Sequence, residues 1–429
     1  MRPGGAQSAA RVSRARAVAA GLTSAALMLG TACSGSSSGG NAAASTGSGT
    51  TPVRQTITVG VLTDLTGPAA VLGRTTEEGI KAGVGFARQQ GYDIKYYLAD
   101  TGSTPSGALT GARALVQQHR VFAVVLLSQL GFAASTYLTQ QGIPVVGANG
   151  DGPEWLHSRN MFSILGFGDY ARVITTHGHI FEALGGKVFG GIGYGIEPSS
   201  YEVVKSAAES ARMSGLRVGY VNTHLPFGTT DLGPVAIAMK NAGVDVVYPG
   251  LAQATSFALI KALQQQGVKF KAVLPAGYGG DLTGGGPGAS QVAQGQYFQL
   301  GFEPVELNTP ATRRFADAVA RYAGRRGEPT LSDYLGYLSI DGIVTGLKAS
   351  GQDQPSRAAF IDKMLTIRNY DGQGLYGGHT FSFALQGRGS VVGADNCSWI
   401  VRYVGTTFVP VPKMQPICGT TTGETVSGQ

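Results

Sequence analysis

Outside the low-complexity stretch that follows Cys33, the 429 residues contain no Gly-x-Ser-x-Gly run, and nowhere a His-Glu-x-x-His or P-loop run. A nucleophile elbow, a zincin helix and a phosphate cradle are therefore missing, and with them the commonest hydrolase signatures. The near-fingerprint Gly191-Ile192-Gly193-Tyr194-Gly195-Ile196 ends on isoleucine where a dinucleotide loop needs glycine, and reads as a loop. His177-Gly178-His179 spaces its imidazoles i,i+2, which does not set two ligands on one helical face. An exposed turn is expected there, with no metal and no cofactor. Lys and Arg form no cluster interleaved with aromatics, which argues against nucleic acid. The formal charge of +7 overstates the basicity, because four arginines lie before residue 17; without them 29 basic residues face 26 acidic ones, a net of +3. Cysteine is scarce, with three, and no second long apolar segment follows Cys33, so a soluble body is expected.

What is present begins with an export signal. Arg2, Arg11, Arg14 and Arg16 precede a charge-free run of 16 residues, Ala17–Ala32, that ends at Cys33. A basic start, a short apolar run and small residues before a cleavage point have that form. The run is shorter than the roughly 20 residues of a spanning helix. Leu29-Gly30-Thr31-Ala32-Cys33 resembles the lipobox of bacterial lipoproteins, with Gly30 where Leu or Val is preferred. The resemblance implies that residues 1–32 are removed and that lipid on Cys33 anchors the protein outside the cytoplasm. Ser34–Thr51 is almost wholly Ser, Gly, Ala, Thr and Asn, too polar and small to order itself. As a coil it reaches about 23 Å, so residues 33–54 read as a tether. An oxidising setting allows Cys397 and Cys418 to pair, with residues 420–429 left as a flexible tail.

From Thr56 the chain alternates strand-like runs (Ile57–Leu62, Ile94–Leu98, Phe122–Leu127, Pro144–Gly147, Val188–Ile192, Val218–Val221, Val244–Tyr248, Ala272–Leu274) with helical patterns. Such alternation predicts α/β layers around parallel sheets, and the length predicts two doubly wound lobes. After Gly301 the spacing predicts helices over Pro310–Arg325, Leu331–Ser350 and Pro355–Ile367, then antiparallel strands over Thr380–Val411. Two strand ends stand out as ligand seats. Ser128-Gln129 follows the third strand where a helix begins, a place that welcomes an anion; the alternative is a serine that caps the helix. Asn149-Gly150-Asp151 follows the fourth strand, with a tight turn as its alternative.

The opening Ile57–Pro68 with Gly73 and Gly79, Asp100 with Pro105, Ala112–Val116, Gly142–Val145 and Val246–Tyr248 resemble the leucine/isoleucine/valine-binding, type I periplasmic binding proteins. The resemblance implies two lobes joined by three hinge crossovers near Leu165–Gly168, Leu300–Glu303 and Tyr376–His379. Lobe 1 is then residues 55–166 plus 302–377, and lobe 2 residues 167–301 plus 378–419. It also implies a non-enzymatic, monomeric solute receptor serving an ABC permease and its ATPase, with a small polar metabolite (an amino acid, amide or small carboxylate) as cargo. Ser128 matches the serine that holds a ligand carboxylate in the amino-acid binders. Asp151 stands where a threonine is usual, Leu72 matches the side-chain cap, and no acid stands near Gly277, where the partner of an α-ammonium group falls. Tyr194, Tyr201 and Tyr278 are the further ligand candidates. A sensor with a separate signalling partner and an exported hydrolase remain as rival readings.

Overall fold

The computed structural model describes residues 56–426 apart from 149–151, 167–168, 284–285, 326, 353, 387 and 389–391. Cys33 and the tether lie outside the described residues. The rest falls in one compact unit, Thr51–Gln429. In chain order it begins β1 (Ile57–Thr63), α1 (Ala70–Gln89), β2 (Ile94–Asp100), α2 (Pro105–Gln117), β3 (Ala123–Leu127), α3 (Phe132–Gln140), β4 (Val145–Gly147), α4 (Glu154–His157) and β5 (Met161–Ser163). These strands form a parallel sheet in the order β2-β1-β3-β4-β5. Its inner strands β1 and β3 are near-continuous β-branched and leucine runs, as befits a sheet covered on both faces.

The chain then crosses to a second sheet through β6 (Arg172–Ile174), α5 (Thr175–Ala183), β7 (Val188–Tyr194), α6 (Pro198–Met213), β8 (Arg217–Leu225), α7 (Gly233–Asn241), β9 (Val246–Gly250), α8 (Gln253–Gln265), β10 (Lys271–Leu274), α9 (Gly280–Thr283), α10 (Gly286–Ala293) and β11 (Tyr297–Leu300). It returns with α11 (Pro310–Ala318), α12 (Leu331–Ser350) and α13 (Arg357–Met364), and α12 packs on α1 and β4 of the first sheet. Finally β12 (Cys397–Val404), β13 (Thr407–Pro410) and β14 (Ile417–Cys418) add antiparallel to the far edge of the second sheet, beyond β11. The three connecting stretches are tied together. Glu303 N–H donates to Leu375 O at 2.8 Å, and the Tyr376 hydroxyl donates to Ile164 O.

The structure corrects several local expectations. Gly191–Tyr194 is not a loop but the end of β7, where a Cβ on Gly193 would lie 2.6 Å from Ser200 O, so only glycine lets α6 sit that close. His177 is not on an exposed turn. It is buried in α5 beside Phe181 and Tyr248, and burial pushes its imidazole down to about 3. The helix expected to Arg325 ends at Ala318 and gives way to a wide turn that stops at Gly324, φ 71°. Among the described residues of Thr380–Val411 only β12 and β13 are strands. Phe381 and Phe383 instead bury against Tyr370, Tyr376 and Phe162, so their apolar pattern fills a core rather than a ladder. The expected flexible tail is also partly structured, because β15 (Thr421–Thr425) pairs antiparallel with β6.

Candidate functional site

A cleft of about 970 Å³, counted to its open mouth, lies between the two sheets. Gln129, after β3, and Leu331 and Leu335, on α12, come from the first sheet's side; Glu197, Tyr248 and Gln299 come from the second. Leu165, Leu300 and Phe302 of the connecting stretches line it too. It is thus an apolar cavity with few polar groups, at the carboxyl ends of parallel strands where ligands of open α/β sheets sit. Contacts cross between the two sides nearby: the Thr75 hydroxyl on α1 donates to Asp281 Oδ1 on α9 at 3.1 Å.

The parallel register explains the first side's polar network. Thr63 pairs with both Asp100 and Leu127, so the next residues of the three strands, Asp64, Thr101 and Ser128, emerge side by side. Ser128 Oγ donates to Asp64 Oδ1 at 2.6 Å, Gln129 N–H donates to Asp64 Oδ2 at 3.1 Å, and the Thr101 hydroxyl donates to Oδ1. Ser128 is fully buried behind this contact, does not line the cleft, and also accepts from Leu130 N at 3.2 Å. Helix α3 begins only at Phe132, so Ser128 does not cap it either. Burial raises the Asp64 carboxyl above its ordinary value, opposed by these donors.

Of the other predicted ligand residues, Gln129 lines the cleft. Tyr194 and Tyr278 do not: the first donates to Thr255 Oγ1 at 2.8 Å, the second to Glu306 Oε2 at 2.6 Å. Tyr201 sits on α6 away from the lining. Asn149, Asp151 and the Leu72 side chain lie outside the described residues.

Sequence reasoning missed Glu197, Ser199, Ser200, Tyr170, Tyr248 and Gln299, all of which line the cleft. A signal existed for the first three. Glu197-Pro198 stands three residues past the end of β7, and proline at the first helical position marks a helix start close behind a strand. Glu197 is 6% exposed; Ser199 Oγ donates to its Oε1 at 3.1 Å, while its Oε2 accepts no hydrogen bond among the described residues. Burial pushes this carboxyl up to about 8, and the nearby Asp64 charge adds to the rise. Ser200 Oγ accepts from Tyr194 N at 2.7 Å and donates to Gly250 O, so it knits α6 to the strand ends. Among the described residues no helix is long and apolar enough to cross a membrane.

The comparisons with known proteins agree with this geometry. The model of the family described as periplasmic binding protein matches residues 56–407. A Leu/Ile/Val-binding protein homolog 7 of Brucella suis biovar 1 (strain 1330) is 24% identical over 346 residues, covering 75% of this chain and 86% of its own. A branched chain amino acid ABC transporter protein from Thermus thermophilus, solved with bound valine, superposes with a TM-score of 0.69 at 16% identity, covering 86% of this chain and 98% of its own. An R. palustris ABC transporter solute binding protein in complex with benzoate gives a TM-score of 0.70 at 16% identity, covering 87% and 100%. With its two sheets, its crossings and its interlobe cleft, the chain belongs to the type I, Leu/Ile/Val-binding-like periplasmic binding proteins, a family of extracytoplasmic solute-binding proteins rather than enzymes.

Proposed function

We propose that the chain is the lipid-anchored receptor of an ABC importer, closing its lobes over a small metabolite and presenting it to a permease and its ATPase. The interlobe cleft carries this reading: its walls come from both sheets, and its lining is mostly apolar with a few placed polar groups. The relatives solved with valine and with benzoate support cargo of that size. Residues 55–166 plus 302–377 make up lobe 1, and 167–301 plus the strands from Cys397 make up lobe 2; Phe381, Phe383 and Arg388 still pack on lobe 1, so the third crossing falls later than Tyr376–His379. The signal before Cys33 and the low-complexity tether support export, lipidation and a monomer held just off the membrane. Cys397 and Cys418 oppose each other across β12 and β14, which supports a cystine in that oxidising setting. A thermal-shift screen of the mature chain against small amines, amides, amino acids and aromatic acids tests the receptor reading. A binder should raise Tm with concentration, by the equivalent of about 2.7 kcal/mol at a hundredfold excess over Kd. No shift with any compound would speak against it.

A further inference from the structure

The anion seat that the fold offers at the end of β3 is already filled from within. Asp64 takes the Ser128 hydroxyl, the Thr101 hydroxyl and the Gln129 N–H, the donors that a ligand carboxylate would need there. The rest of the polar lining offers donors in the Tyr170 and Tyr248 hydroxyls and the Gln129 amide nitrogen, but no charged one, and several of its acceptors stand unanswered. Glu197 Oε2, Gln129 Oε1 and Gln299 Oε1 accept nothing from the described protein, although Glu197 and Gln299 are 6% and 8% exposed. The Gln299 amide nitrogen is committed to Ser398 Oγ at 3.0 Å, the Ser199 hydroxyl to Glu197, and the Ser200 hydroxyl to Gly250 O. No Lys, Arg or His stands among the lining residues, and among the described residues neither Glu197 nor Asp64 has a cationic partner.

Buried acceptors without donors are costly, and Glu197, which burial keeps protonated in the empty cleft, can ionise there only against a positive group. The complement of this lining is therefore a positive, N–H-rich group on an apolar body. Resting on the receptor reading above, we propose that the cleft takes a small organic cation without a carboxylate, its amine or amidine seated on Glu197 with the side-chain carbonyls of Gln129 and Gln299, and its apolar body against Leu331 and Leu335. Glu197 reaches the cation from lobe 2 and Gln129 from lobe 1, so one positive group bridges the two halves. Asp64 excludes the carboxylate end of an amino acid by occupying its donors and by like charge.

Matched probes test this. Calorimetry on the mature chain compares isopentylamine with leucine, which differ by one carboxylate, and benzamidine with benzoate. We expect the amine and the amidine to bind, and leucine and benzoate to bind at least tenfold more weakly or not at all. Glu197→Gln keeps the shape and removes the carboxyl that ionises against a bound cation; it should weaken the cations by about ten- to a hundredfold. Asp64→Ala, checked for folding by its thermal transition, should narrow the gap between leucine and isopentylamine by vacating the carboxylate seat. Tight binding of leucine or benzoate that Glu197→Gln leaves within twofold overturns the cation proposal and leaves the receptor reading standing. Absence of any cation binding overturns it too, whatever the wider thermal-shift screen finds; silence in that screen as well removes the receptor reading.

Discussion

At the scale of single residues, position after a strand decides more than residue type. Ser128 was legible from the sequence as a polar residue at the end of β3, but its partner was not, because the register that sets Asp64 beside it is a tertiary fact. Glu197 was overlooked although an acid before a proline, just after a β-branched and glycine run, is a readable helix start. Its burial makes a measurable prediction. With its carboxyl raised from 4.5 to about 8, the folded protein holds a proton that the unfolded chain has released between those values. This contribution to stability is fully present below about 4.5 and is lost as pH rises through about 8. Glu197→Gln cannot titrate, so its Tm should gain on that of the parent as pH goes from 5 to 8, by at least about 2 °C. Parallel Tm curves for the two proteins would show that Glu197 is not held protonated.

At the scale of elements, α12 was read to its ends, Leu331–Ser350, and its start has a physical reason. Thr330 Oγ1 accepts from Asp333 N at 3.0 Å while Thr330 N donates to Asp333 Oδ2 at 2.7 Å, a reciprocal cap that the sequence displays three residues apart. The short β5, β6 and β15 escaped notice, since three to five residues hold too little periodicity to separate from a loop. How α12 meets α1 was also not legible. A Cβ on Gly336 would lie 2.7 Å from Ile80 N and 2.8 Å from Gly79 C, so the two helices touch backbone to backbone there. Gly336→Ala must push them apart. We expect a loss of about 1–3 kcal/mol in chemical denaturation, despite the better helix propensity of alanine. A variant as stable as the parent would mean that the helices give way freely.

For the whole molecule, the alternation of strands and helices was enough to reach two α/β lobes, because it is written in local pattern, whereas the cleft's chemistry depends on which ends converge. The proposed lipid anchor on Cys33 belongs to this scale too. Two acyl chains, at about 0.8 kcal/mol per buried methylene, suffice for stable attachment, so Cys33→Ala should move the protein from the membrane fraction to the medium or periplasm. Retention of the variant in the membrane would argue for another anchor. The three donor-less acceptors have a last implication for how such a receptor reports to its transporter. Drawing the lobes together without cargo would strip water from Glu197, Gln129 and Gln299 and leave their oxygens unanswered, at about 1–3 kcal/mol for each. Opening restores their water. Even at the low end of that range the three together, at about 1.4 kcal/mol per tenfold, hold the unloaded closed shape to about a hundredth of the population it would otherwise have. A permease that inspects only the outline of its visitor can then refuse false deliveries without ever touching the cargo.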